Sequence, residues 1–231
     1  MNRHVTTEPR TEADDPMVLS AEAIRDLLTP LPWRRFAVLG DSTAAGTGDP
    51  WPGYDTVPWP ERLARALRAA HPEAEYLNTG VMGATIREVR DGQLRRVLDF
   101  APDLVHVSCG GNDLFQPDAD LTTVQSDLDE LCAALAATGA RLSLFTLADA
   151  FTDRLRSLRP RFAAFTEITR GVAARHDAIV TEFWEHPARL RPDWLSTDRI
   201  HLTMAGQAVV ASEIATALAR HQHSITTDSG R

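Results

Sequence analysis

Residues 36–43, FAVLGDST, decide the fold of this chain. The four apolar residues suit a short buried strand, and the glycine that follows them marks a tight turn. The polar residues after the glycine are good helix caps, so the stretch predicts a strand, a turn and a helix. Farther along, short apolar runs alternate with longer amphipathic stretches. This alternation predicts a parallel sheet covered by helices on both faces.

The same pattern, followed along the whole chain, predicts five strands and six longer helices. The strands are expected at residues 36–39, 75–77, 104–109, 142–147 and 178–183. The helices are expected at residues 21–28, 59–70, 86–98, 121–137, 160–175 and 205–220. The predicted fold class is α/β, as a three-layer α/β/α, flavodoxin-like sandwich on a five-stranded parallel sheet.

The length and composition of the chain predict one main domain. A chain of 231 residues with 43% hydrophobic residues can form one substantial core. Residues 1–32 are expected to be an N-terminal extension with a short helix, and residues 1–16 are polar enough to predict disorder. Residues 33–221 are the expected main domain, and residues 222–231 a flexible tail.

The charge balance argues against several classes of partner. The 24 basic residues are all arginine, and with 32 acidic residues they give a net charge of −8. This excess disfavours binding to nucleic acid or to an anionic membrane surface. No apolar stretch is long enough to span a membrane, and the polar N-terminus lacks the apolar core of a signal peptide. Two cysteines in apolar stretches fit a reducing compartment, so a cytoplasmic location is predicted.

Four short motifs follow four of the predicted strands. Ser42 comes after the first strand, Gly83 after the second and Asn112 after the third, while Asp198 and His201 come after the fifth. Because the carboxyl ends of parallel strands meet at one edge of the sheet, all four motifs are expected to lie there together.

Each motif by itself has an ordinary structural explanation. Ser42 could simply cap a helix, the glycine-containing loop around Gly83 could be a turn, and an Asn-Asp pair often follows a strand. An aspartate three residues before a histidine, as in Asp198 and His201, is also common. Together, however, the motifs supply a nucleophile, a base, a carboxylate that orients the base and donors to an oxyanion, which predicts acyl transfer.

The sequence resembles the GDSL esterase/lipase superfamily, also called SGNH hydrolases, over residues 36–220. The resemblance rests on Gly40-Asp41-Ser42, on residues 78–83, on Gly110-Gly111-Asn112-Asp113, and on Asp198 with His201. It implies Ser42 as nucleophile, His201 as base and Asp198 as orienting acid. It also implies an oxyanion hole made by the backbone N–H groups of Ser42 and Gly83 and the side-chain amide of Asn112.

Thr43 and Met82 depart from the family pattern. Thr43 stands where the family name expects leucine, and Met82 is bulky where the family often has a small residue before the glycine. The resemblance nevertheless implies a carboxylester hydrolase that needs neither cofactor nor metal. The expected substrate is a small-molecule ester with a short acyl or acetyl group.

Residues that could contact such a substrate are expected in the loops after the first three strands. They are Trp51, Tyr54, Met82, Leu114 and Phe115. Two alternatives stay open on the sequence: an acyltransferase that uses the same serine, and a non-catalytic binding module on the same fold. The sequence also leaves the oligomeric state open.

Overall fold

A computed structural model describes residues 10–228 of the chain, apart from the side chains of residues 153, 154 and 225–228. The strands are β1 (Arg35–Gly40), β2 (Glu75–Asn78), β3 (Leu104–Ser108), β4 (Arg141–Phe145) and β5 (Ile179–Thr181). The helices are α1 (Ala21–Leu28), α2 (Ser42–Ala45), α3 (Trp59–Ala70), α4 (Ile86–Phe100), α5 (Gly111–Phe115), α6 (Leu121–Ala136), α7 (Arg159–Arg175) and α8 (Met204–Asp228).

The five strands form one parallel sheet in the order β2-β1-β3-β4-β5. This is the strand order of the flavodoxin-like sandwich, whose order reverses between β1 and β3. The predicted three-layer α/β/α fold with a five-stranded parallel sheet is therefore confirmed. Ligands of such sheets bind beyond the carboxyl ends of the strands at the point of reversal, which here lies just after Gly40 and Ser108.

The alternation of side chains along β1 divides the core into two layers. Phe36 and Val38 pack in the layer that α1, α3 and α8 cover, whereas Ala37 and Leu39 pack in the layer beneath α4, α6 and α7. Successive residues of a strand point to opposite faces, so a strand buried on both sides is apolar throughout. This explains the uninterrupted apolar run that begins the sequence motif.

The last two strands are shorter than the sequence predicts. β4 ends at Phe145 and β5 at Thr181, although the strands are predicted to reach Leu147 and Phe183. Both of these side chains line a cavity beyond the sheet edge. The prediction extends these strands too far, because hydrophobicity alone does not distinguish a side chain in the sheet from one in a cavity wall.

The two ends of the chain also differ from the expectation. Residues 1–9 of the predicted disordered segment lie outside the described residues, but residues 10–16 are ordered and contain a turn of 3-10 helix at Glu12–Asp14. The predicted helix at residues 21–28 is present as α1. At the other end, α8 continues to Asp228, past the start of the predicted tail at residue 222.

None of the helices within residues 10–228 is both long enough and apolar enough to cross a membrane. The two cysteines do not form a disulfide bond. Cys132 is buried in α6, and Cys109 lies just after β3, so both thiols are free.

Candidate active site

The turn after β1 brings Ser42 to the carboxyl edge of the sheet. Gly40 has a φ of +146°, and a Cβ atom there would lie 1.9 Å from the carbonyl oxygen of Ser108. Only glycine fits so close to the neighbouring strand. Asp41 then caps the short helix α2, because its carboxylate accepts a hydrogen bond from the backbone N–H of Thr43 at 2.8 Å. Ser42 is the first residue of that helix and is 7% exposed.

Gln93 of α4 holds this turn from the side. Its Oε1 accepts a hydrogen bond from Gly40 N at 2.9 Å, and its Nε2 donates to Gly40 O at 2.8 Å. The hydroxyl of Thr79, in the loop after β2, donates to the same Oε1 at 3.0 Å. The sequence contained a signal for this contact that the sequence analysis did not use. Gln93 lies four residues from both Val89 and Val97, on the buried face of α4.

The three predicted catalytic side chains lie in hydrogen-bond contact. His201 Nε2 is 2.8 Å from Ser42 Oγ, and His201 Nδ1 is 2.6 Å from Asp198 Oδ2. The other carboxylate oxygen accepts from the backbone N–H groups of Ile200 at 2.9 Å and His201 at 3.0 Å. Partial burial acts to raise the pKa of Asp198, but the hydrogen bonds from His201 and Ile200 outweigh it and lower that pKa. Asp198 is therefore a carboxylate that can orient the imidazole.

The loop of residues 191–203 carries Asp198 and His201 and is tied to neighbouring segments. Leu195 and Leu202 form an antiparallel bridge, and Ser196 N donates to His201 O at 2.7 Å. Asp49, from the loop after α2, accepts from the backbone N–H of Thr197 at 2.9 Å and from its hydroxyl at 2.8 Å. Nothing in the local sequence around Asp49 indicated this role, because the partner is distant in the chain.

The two other predicted motifs are joined by Asp113. Its carboxylate accepts from the backbone N–H of Ile86, at the start of α4, at 3.1 Å. The neighbouring Asn112 side-chain amide donates to Ala84 O at 3.1 Å and lies 3.4 Å from Asp41 Oδ2. Gly83 has a φ of +81° with open space where a side chain would be. The loop with Gly83 and the loop with Asn112 therefore lie side by side.

Asp41 is a buried carboxyl group next to the nucleophile. Burial raises its pKa to about 6, although the hydrogen bonds from the N–H and hydroxyl of Thr43 act in the opposite direction. The same carboxyl is 3.4 Å from the Asn112 amide. Asp41 therefore holds the turn of Ser42 and lies beside the amide of Asn112.

A cavity of about 130 Å³ opens beside Ser42 and His201. Its walls away from these residues are mostly aromatic and aliphatic. The aromatic lining residues are Phe115, Phe145, Phe151, Phe162, Phe183 and Trp194. A cavity of roughly 150 Å³ lined by apolar side chains holds benzene, so this one suits a group of about that size.

Only one of the five residues expected to contact the substrate lines this cavity, namely Phe115. Tyr54 is buried elsewhere, packed near Met204 with its hydroxyl bonded to Asp15 at 2.7 Å, and Trp51 packs beside it. Leu114 is fully buried in the core, whereas Met82 is 64% exposed. The sequence analysis missed Phe162 and Trp194, since hydrophobicity alone does not show which apolar residues face a cavity.

Groups that could bind a metal do not gather at the site. Within the part of the chain that the structure describes, no three His, Cys, Asp or Glu side chains are placed to hold a metal ion. Cys109 lies near Asp41, but burial raises the pKa of its thiol well above the usual range. The side-chain groups that contact one another at this edge are the Ser42 hydroxyl, the His201 imidazole and the Asp198 carboxylate.

The chain is similar to known proteins in both sequence and fold. A model of the GDSL-like Lipase/Acylhydrolase family matches residues 38–209, more than half of the chain. An arylesterase of Vibrio mimicus is 24% identical over 197 residues, which cover 81% of this chain and 89% of that protein.

Two solved structures share the fold. One is LAE5, an alpha/beta hydrolase enzyme from the metagenome of Lake Arreo, Spain, with 24% identity and a TM-score of 0.66. The other is Axe2, an acetylxylan esterase from Geobacillus stearothermophilus, with 20% identity and a TM-score of 0.66. Each match covers 80% of this chain and 94% of the other.

Proposed function

The chain belongs to the GDSL-like lipase/acylhydrolase family, and on that premise we propose that it is a serine-dependent carboxylester hydrolase acting on a small ester with an apolar group. Family membership confirms the resemblance inferred from the four sequence motifs and makes the chain a GDSL-type esterase. The observation that carries the finer proposal is the 2.8 Å contact between Ser42 Oγ and His201 Nε2. A hydroxyl is a weak nucleophile unless a base can take its proton.

The proposed reaction has two steps. In the first, His201 takes the proton of Ser42 while Oγ attacks the acyl carbon, and the imidazolium then protonates the leaving alcohol oxygen. In the second, His201 takes a proton from water, whose oxygen attacks the acyl-serine. That proton returns to Ser42 Oγ as the acid leaves. Asp198 holds the imidazole in one tautomer throughout, with its 2.6 Å contact to Nδ1.

Three donors would stabilise the oxyanion in each step. Ser42 is the first residue of α2, so its backbone N–H has no acceptor inside the helix. Gly83 lies in the adjacent loop with its backbone unshielded by a side chain. The Asn112 amide makes only a 3.4 Å contact to Asp41 beside its shorter bond to Ala84. That contact is too long for a good hydrogen bond, so this N–H is available to a ligand oxygen.

The cavity supports an apolar group on one side of the ester bond. Among the described residues, ionisable side chains line it only near the catalytic groups, as Asp41, Arg199 and His201, while the remaining wall is dominated by aromatic and aliphatic side chains. A benzene-sized ring or a short branched or linear chain matches its volume of about 130 Å³. An acetyl group, which the sequence analysis considered, would leave part of the cavity unfilled.

A series of p-nitrophenyl esters from acetate to dodecanoate tests this substrate class. Each buried CH₂ contributes about 0.8 kcal/mol, or about fourfold in kcat/KM, if the group binds in the cavity. We expect kcat/KM to rise from acetate to butanoate or hexanoate and to fall for longer chains that exceed the cavity. A rate that is highest for acetate and declines steadily would contradict the assignment of the cavity.

The nucleophile is tested separately with Ser42→Ala. This variant should lose both ester hydrolysis and labelling by a fluorophosphonate probe, because no acyl or phosphonyl serine can form. Ser20→Ala, which removes the exposed cap of α1, is the matched control and should keep both. Turnover by Ser42→Ala equal to that of the wild type would refute the mechanism. Product analysis with an added alcohol distinguishes hydrolysis from acyl transfer.

A further inference from the structure

The first described residues of the chain connect two loops of the site. Residues 10–17, which we call the N-terminal strap, precede the segment that the family model matches. Glu12 N donates to Gly53 O at 2.8 Å, and Asp55 N donates to Glu12 Oε2 at 2.9 Å, so the strap binds the loop of residues 47–58. Farther along the strap, Asp15 contacts the loop of residues 191–203, which carries Asp198 and His201.

Asp15 belongs to a buried cluster of charged groups. Its carboxylate has 0% exposed surface and lies 2.7 Å from Arg191 Nη2, and it accepts a hydrogen bond from Tyr54 Oη at 2.7 Å. Arg191 also donates to both carboxylate oxygens of Asp193, at 2.8 and 2.7 Å. Arg191 and Asp193 are themselves only 9% and 8% exposed. Breaking a buried charge cluster of this kind is strongly destabilising.

The cluster is linked to the base by backbone hydrogen bonds. The hydroxyl of Thr203 donates to Asp193 O, and Thr203 N donates to Trp194 O at 3.1 Å. Ser196 N then donates to His201 O at 2.7 Å. The segment from Asp193 to Ser196 therefore lies antiparallel to the segment that begins at His201. A displacement of Asp193 would move the backbone of the base.

We propose that the N-terminal strap positions the catalytic base, with Asp15 fixing Arg191 and Asp193 and thereby the backbone that carries His201. The inference rests on the proposed function, because it gives Asp15 a part in the same reaction. Asp15 touches neither Ser42 nor the cavity, so it is a positioning residue. A positioning residue is needed because the segment around the base has little regular structure of its own. The turn with Asp198 and His201 belongs to no helix and no strand of the sheet, and residues 197–200 are exposed.

Asp15→Ala tests the proposal in the full chain. It removes the contacts to Arg191 and Tyr54, so we expect kcat for p-nitrophenyl butanoate to fall about tenfold while KM changes by less than about twofold. Labelling of Ser42 by the fluorophosphonate should slow by the same factor, because it needs the same base. All assays are made well below the melting temperature of each variant.

Asp127→Ala is the matched control. Asp127 of α6 is also a buried carboxylate, 10% exposed, and it binds Arg87 of α4 at 2.7 Å in the opposite helical layer. This variant should lower the melting temperature but keep kcat and the labelling rate within about twofold of the wild type. Tyr54→Phe, which removes one donor to Asp15 and leaves the charges in place, should lower kcat about threefold.

Equal kcat values for Asp15→Ala and Asp127→Ala would overturn the proposal and leave the strap a purely stabilising segment. If Asp15→Ala does not fold, Tyr54→Phe decides, and an unchanged kcat in that variant overturns the proposal. Failure of the proposed function would look different. In that case the wild type would not hydrolyse the ester, or Ser42→Ala would hydrolyse it as fast as the wild type.

Discussion

Replacing Gln93 with leucine should weaken both the fold and the nucleophile turn. The Gln93 side chain forms hydrogen bonds with both the N–H and the C=O of Gly40. Its Oε1 also accepts a hydrogen bond from the hydroxyl of Thr79. In Gln93→Leu, the buried N–H group of Gly40 loses its hydrogen-bond acceptor. Gly40 O keeps a second donor, Val81 N at 3.0 Å, and the Thr79 hydroxyl keeps a contact of 3.4 Å to Val38 O.

The magnitude follows from these contacts. One buried N–H without a partner costs about 2 kcal/mol, and the loss of the two remaining hydrogen bonds costs about 1 kcal/mol more. A buried leucine side chain returns about 1 kcal/mol through its apolar surface. The net loss is about 2 kcal/mol, which for a chain of this length lowers the melting temperature by about 4 to 8 °C. Since Gly40 immediately precedes Asp41 and Ser42, kcat should fall several-fold as well.

Differential scanning fluorimetry and ester hydrolysis together measure the two effects. Gln125→Leu is the control, because it makes the same change of side chain at an exposed position within α6. It should leave the melting temperature and kcat close to the wild-type values. If Gln93→Leu melts at the same temperature as Gln125→Leu, the contacts of Gln93 do not stabilise the turn and the reasoning is wrong.

Two further predictions concern the groups around Ser42. Asn112→Ala should lower kcat about 10²-fold with little change in KM, the usual loss for one oxyanion donor, and steady-state kinetics that show a changed KM alone would contradict that role. Burial raises the pKa of Asp41 to about 6, above its unfolded value of 3.8, so the wild type should lose about 2 kcal/mol of stability relative to Asp41→Asn as pH rises from about 4 to about 7. Urea unfolding of both proteins at about pH 4 and about pH 7 checks this, and a difference that does not change with pH would contradict it.

The helices and the order of elements could be predicted because they follow from local patterns. Along α6, Val124, Leu128, Leu131 and Leu135 recur at helical spacing, and all four are buried. The strands were predicted from apolar runs, which do not show where a strand leaves the sheet. Past the end of β5 the chain leaves the sheet, yet Phe183 remains buried. The pattern of apolar residues along a sequence indicates which residues are buried, but it does not show which part of the structure covers them.

The candidate site could be predicted as a set of motifs but not as a surface. Ser42, Asp198 and His201 belong to short patterns, and the parallel sheet brings those patterns to one edge. The cavity wall has no such pattern. Trp194 lies in an irregular loop, where neither helical nor strand spacing indicates the direction of a side chain. Tyr54 was expected near the substrate because it is aromatic, but its hydroxyl bonds to Asp15 instead.

The N-terminal strap shows a limit of composition as evidence. Residues 1–16 contain few apolar residues, which predicted disorder because such a segment buries little hydrophobic surface. Asp15 is nevertheless fully buried, since Arg191 and Tyr54 bind its carboxylate. Burial acts to raise the pKa of Asp15, but the hydrogen bonds from Arg191 and Tyr54 lower it by more. The pKa is therefore below its usual value, and the group is a charged carboxylate. Long-range pairing of this kind cannot be inferred from one segment alone.

The side chains of Ser42 and His201 lie in segments with little regular secondary structure. Ser42 lies in a helix of four residues, and His201 follows a turn in which Arg199 has a φ of +63°. Backbone hydrogen bonds within these short segments are few, so contacts with other segments help to hold them. These contacts include polar side chains, namely Gln93 for the first segment, and Asp49 together with the cluster of Asp15, Arg191 and Asp193 for the second. Substitutions in the apolar layers should then mainly change stability, whereas substitutions of these polar contacts should change stability and kcat together.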